Sequence, residues 1–89
     1  MVRQPTSEYR WTNDWRAGGN TWRMAIRATG QIVGRVVRND LDDGSTAHEG
    51  LVWNGSDWQS IGFYGHWTNA KRAVQSAYTG VRLHEAVRA

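Results

Sequence analysis

Six tryptophans in a chain of 89 residues that has no cysteine constrain the fold more than any other feature. A chain this short buries only about 60–65% of its unfolded surface, and domains of this size commonly lean on disulfides or a metal. Disulfides are excluded, and no zinc-ligand cluster replaces them. His48, His66 and His84 stand 18 residues apart, with no second ligand type beside them. The core must then rest on aromatic rings, each burying a large area for one residue.

No run of 18 apolar residues is present, so no membrane-spanning helix is expected. The start, Met1-Val2-Arg3-Gln4-Pro5, lacks the apolar stretch of a secretory signal, and with the missing cysteines this predicts a cytoplasmic protein. Ten arginines against one lysine give a formal charge of +3. Coding in a GC-rich genome produces the same excess. Arginine is also the better residue for bidentate phosphate contacts and for stacking on bases. A net +3 is modest, so the placement of the arginines must decide.

Residues 1–20 are polar and turn-rich, ending in Ala17-Gly18-Gly19-Asn20. Tyr9, Trp11 and Trp15 are too many large rings for a solvated tail, so part of this segment should dock as an edge strand around Glu8–Thr12.

Residues 21–80 read as a β-β-β-β-α domain. Thr21–Ala28 and Gln31–Arg38 form the first hairpin, and its register decides which face is basic. A two-residue turn at Thr29-Gly30 would set Met24 opposite Arg35 and mix charge into the apolar face. A three-residue loop, Ala28-Thr29-Gly30, puts glycine at the left-handed position. It sets Ile26 opposite Ile32, Met24 opposite Gly34 and Trp22 opposite Val36. Arg23, Arg27, Gln31 and Arg35 then share the other face. Only this register separates apolar from basic. Asn39–Ala47 reads as a loop of turn formers. Its Asp40, Asp42 and Asp43 lack calcium-loop spacing, so no metal is expected.

The second hairpin is His48–Asn54, a Gly55-Ser56 turn, then Asp57–Tyr64, with Trp53 directly across from Trp58. Gly62 and Gly65 suggest a bulge or a close backbone approach. Thr68 caps a helix over about Asn69–Thr79. Its apolar residues Ala70, Ala73, Val74, Ala77 and Tyr78 fall on one stripe, and Lys71, Arg72, Gln75 and Ser76 on the opposite face. Gly80 reads as its stop. Residues 81–89 alternate as Val81, Leu83, Glu85 and Val87, which favours a final strand over a helical extension. The fold class expected is α+β: a four-stranded antiparallel sheet, extendable to five, packed on one C-terminal helix.

No catalytic signature joins the serines, histidines and acids. There is no Gly-x-Ser-x-Gly, no His-Glu-x-x-His and no phosphate-cradling glycine loop. His48-Glu49 and His84-Glu85 are neighbours whose side chains diverge in a strand. A non-enzymatic binding protein without cofactors is therefore expected.

Nucleic acid is the leading partner. Alternate strand residues repeat every 6.6–7 Å or so, close to the phosphate spacing along one DNA strand. The candidate contacts are Arg23, Arg27 and Arg35, with Arg38 at the strand end and Gln31 and Gln59 as adenine readers. The alternative is a module docking on a host protein through Trp11, Trp15 and Trp67. Trp22, Trp53 and Trp58 are assigned to the core. A homodimer formed through an uncovered strand edge fits either reading.

Trp22-Arg23-Met24-Ala25-Ile26, Gly30, Ile61-Gly62-Phe63, Thr68 and the Ala70, Ala73-Val74, Ala77-Tyr78 stripe resemble the AP2-like, arm-type DNA-binding domains of phage tyrosine integrases. The resemblance covers about residues 21–79. It implies a sheet packed on one helix and DNA contact through Arg23, Arg27 and Arg35. The chain departs from that pattern by inserting Asn39–Gly50 and an extra strand. It is also similar to small proteins of actinobacteria and their phages, which implies a phage accessory protein acting in the host cytoplasm.

Overall fold

The computed structural model describes residues 8–88, and for residues 17 and 81–88 the backbone alone. Five strands follow one another in chain order through one antiparallel sheet: β1 (Tyr9–Asn13), β2 (Thr21–Ile26), β3 (Ile32–Asp40), β4 (Thr46–Trp53) and β5 (Trp58–Tyr64). A single helix, α1 (Trp67–Arg88), packs across one face. This is the α+β class, with the fifth strand supplied from the N-terminal side.

β1 forms because its rings alternate with polar residues. Tyr9 and Trp11 face the helix, and Arg10 and Thr12 face away. Tyr9 meets Tyr78 edge-on at 5.9 Å. Trp11 donates its indole N–H to Gln75 Oε1 at 3.0 Å. A one-turn 3-10 helix at Trp15–Ala17 links β1 to β2, ending on Gly18 in the left-handed region.

The first hairpin pairs Trp22 with Val36, Arg23 with Arg35 and Met24 with Gly34, as the basic-versus-apolar argument requires. The turn itself differs. The Gly30 N–H reaches the Ile26 carbonyl at 2.7 Å and the Ile26 N–H reaches the Gln31 carbonyl at 2.9 Å, so four residues, Arg27–Gly30, lie outside the ladder. A bulge between Met24 and Ala25 absorbs the extra residue, and Ile32 pairs with Ala25 instead of Ile26. The expected loop at Asn39–Ala47 shrinks to residues 41–45, because β3 and β4 stay paired out to Asp40 and Thr46. In the second hairpin Trp53 stands across from Trp58, and a second bulge lies between Gly50 and Leu51 opposite Ile61.

The buried core is Tyr9, Met24, Val33, Val36, Val52, Ala70 and Val74. Val74 enters a gap left by two glycines in neighbouring strands. A Cβ on Gly34 would stand 2.6 Å from one Val74 methyl, and a Cβ on Gly50 would stand 3.0 Å from the other. The helix lies close because the sheet, as well as the helix, lacks side chains where they meet.

The helix departs from expectation at both ends. It begins at Trp67, with the Ala70 N–H on the His66 carbonyl at 3.2 Å, so Thr68 lies inside its first turn. It runs through Gly80 to Arg88, where a stop and a strand were expected. Glycine costs only about 1 kcal/mol in a helix interior, which the flanking helix formers can offset. Lys71 and Gln75 also leave the expected solvent face. Lys71 Nζ lies 5.9 Å from the Trp11 ring and 5.3 Å from the Trp67 ring. Among the described residues no helix is long and apolar enough to cross a membrane.

Candidate functional site

One helix covers one side of a five-stranded sheet, and the described elements leave the other side open. The pairing registers fix what stands there. Arg23 and Arg35 are direct cross-strand partners, Thr12 lies beside Arg23, and Arg10 lies beside Ala25 one step away. The first three strands therefore bring three guanidinium groups onto one half of the open face.

Each arginine has a different environment. Arg10 is exposed. Arg23 is held by the carboxylate of Asp14, just past the end of β1, at 2.8 Å. Arg35 reaches across β4 and lays its guanidinium over the Trp58 ring, 4.4 Å from the centroid. Arg35 Nε is buried and has no hydrogen-bond partner among the described residues. Like charges directly opposite one another in a ladder are unfavourable. Asp14 and the Trp58 ring offset part of that cost.

The other half of the face is aromatic. Trp53 and Trp58 pack ring to ring at 5.5 Å, tilted by 59°. Phe63, brought to this face by the bulge at Gly50, is 64% exposed. Glu49 is the carboxylate of this half, accepting from the Ser60 hydroxyl at 2.9 Å. The face is thus polarised, with arginines over β1–β3 and rings with one carboxylate over β4–β5.

Several expected site residues lie elsewhere. Arg27 is in the turn, with its backbone N–H on the Glu8 carbonyl at 2.8 Å, because the turn takes four residues instead of three. Gln31 sits at the exit of that turn, donating its N–H to the Thr29 hydroxyl. Arg38 pairs with His48, so its register puts it on the helix side, near Asp40 at 3.4 Å. Gln59 pairs with Val52, also on the helix side of the register. The expected trio Arg23, Arg27 and Arg35 becomes Arg10, Arg23 and Arg35. Arg10 was findable from the Tyr9/Trp11 alternation, whereas Phe63 was hidden by a bulge that reverses its parity.

The tryptophans exchange roles in the same way. Trp11 is bound to Gln75, and Trp67 stacks on Trp22 at 5.3 Å, so both belong to the helix side. Trp15 alone of that set is exposed, at 71%. Trp53 and Trp58, expected wholly in the core, line the open face, although Trp53 also packs on core residues.

Among the described residues no three His, Cys, Asp or Glu side chains group closely enough to hold a metal ion. The chain matches no protein-family model, no curated protein and no solved structure.

Proposed function

We propose that the chain is a nucleic-acid-binding protein and that the open sheet face is its binding surface. One observation carries the reading. Arg23 and Arg35 are opposed across two paired strands on the uncovered face, Arg23 is paired with the Asp14 carboxylate, and Arg10 lies alongside. A polyanion laid over this half would relieve the repulsion between the guanidinium groups and supply acceptors that the fold does not. Arg10, Arg23 and Arg35 are the residues assigned to phosphate contact.

The test is fluorescence anisotropy with a labelled oligonucleotide at rising salt. Three phosphate contacts predict a slope of roughly −2 to −3 in a plot of log affinity against log salt. Arg23→Gln with Arg35→Gln should flatten that slope by about 2. Asp14→Asn should tighten binding, because it removes a competing anion from Arg23. A protein that binds nothing at low salt, or whose slope ignores the arginine changes, refutes the proposal.

A protein partner is the competing reading, and Trp15 favours it, being the most exposed large ring on the described surface. Trp11 and Trp67 no longer support it, since both are engaged against the helix and β2. An interaction that survives high salt and is lost in Trp15→Ala would select this reading instead.

A further inference from the structure

The division of the open face into a cationic half and an aromatic half restricts the form of nucleic acid it can take. Resting on the nucleic-acid reading above, we infer that the site selects unpaired, single-stranded nucleic acid over duplex. In a duplex the base faces are stacked on one another, and only phosphates and groove edges are presented. Exposed ring faces on a shallow sheet add nothing to duplex binding. They gain from bases that are free to lie on them.

Phe63 and Trp58 stand on the same face of the same strand, separated by Ser60 and one bulged residue. At about 6.6–7 Å for each pair of strand residues, the two rings lie roughly 13 Å apart. That leaves room for separate bases, one on the exposed Phe63 ring and one on the Arg35–Trp58 stack. Arg35 stands at the boundary between the halves. Its planar group already stacks on Trp58 at 4.4 Å, and its outer face is suited to a second stack with a base. Trp58 and Arg35 together therefore extend one platform toward the cations.

Charge sets the orientation of the strand. Glu49 lies across from Phe63 and holds its carboxylate among the rings through Ser60. A phosphate backbone is repelled from β4–β5 and attracted to Arg10 and Arg23 over β1–β2. The backbone then runs over the first strands and the bases turn toward Trp58 and Phe63. Binding on this platform is sequence-tolerant, because every base has a stacking face.

The experiment uses the full chain and one fluorescein-labelled oligonucleotide of mixed sequence, alone and annealed to its complement. The single strand should bind at least about 10-fold tighter than the duplex at the same salt. Its binding should quench tryptophan fluorescence through Trp58. Phe63→Ala should weaken the single strand roughly 5- to 10-fold and leave the duplex unchanged. With Phe63 64% exposed, this substitution leaves the core intact. Equal or tighter binding of the duplex, or indifference of the single strand to Phe63→Ala, overturns the inference while the nucleic-acid reading stands. Binding of neither form overturns both.

Discussion

Gly34 and Gly50 show how much rests on single atoms at the residue scale. Both sit where the helix crosses the sheet, and Val74 occupies the space a Cβ would need. At Gly34 that Cβ would also come within 3.0 Å of Met24. Neither a branched valine nor a fully buried methionine can move aside easily in so thin a core. Gly34→Ala is expected to destabilise the protein by about 1–3 kcal/mol through overpacking. Gly50→Ala, whose nearest contacts are 3.0 Å away, should cost less. Urea midpoints measured at constant m value order the two, and an unaffected Gly34→Ala protein would show that the helix does not seat as described. The arginines make the complementary point, since their identity as a site depends on neighbours far from them in sequence. Arg35 takes its position from Trp58, 23 residues along the chain, and Arg23 from Asp14 in the preceding turn.

Elements show where local propensity held and where it gave way. The Trp53–Trp58 pair and the Trp22–Val36 pair follow from alternation and turn chemistry, and both are present. The helix boundary did not follow, because glycine at position 80 carries the same local signal whether a helix ends there or continues. A Cβ on Gly80 would meet nothing within 4 Å. Gly80→Ala should therefore stabilise the helix by about 1 kcal/mol. In a domain of this size that corresponds to a rise in Tm of roughly 4–8 °C, read from a circular-dichroism melt. A fall in Tm would mean that the helix breaks at Gly80 in solution. The four-residue turn at Arg27–Gly30 is a similar case. Gly30 does adopt the left-handed conformation, φ 76°. A bulge near the turn takes one residue out of the ladder, however, so the closing pair becomes Ile26 and Gln31 and four residues stay in the loop.

The whole molecule closes through contacts between its first strand and its helix. Tyr9 meets the Thr79 hydroxyl at 3.3 Å, and Trp11 donates to Gln75 at 3.0 Å, linking residues 70 and 64 positions apart. These contacts hold the edge strand that carries Arg10, so the cationic half of the open face depends on them. Trp11→Phe keeps the ring and removes the donor. It should cost about 1 kcal/mol, through the unsatisfied Gln75 acceptor, by chemical denaturation. A loss several times larger would place more of the core on Trp11 than its half-buried position indicates.

Strand alternation, turn glycines and the alanine–valine stripe were enough to specify an antiparallel sheet on one helix, and most of its cross-strand pairs. Those are local properties, written in spacings of two and of three to four residues. The membership of the open face was not local. A strand's side chains change face whenever one extra residue enters the ladder. Gly62 signalled the bulge in the second hairpin without fixing which side chains would change face, and nothing in the sequence signalled the one in the first. The bulge at Met24/Ala25 accompanies the longer turn that takes Arg27 off the face, and the one at Gly50/Leu51 brings Phe63 onto it. Arg10 joined through the pairing of an edge strand whose rings are held by the helix. The sequence alone determined what the sheet is made of. Only the tertiary structure decided which arginines and which rings share its uncovered side, because the helix and the bulges, not the alternation, set that count.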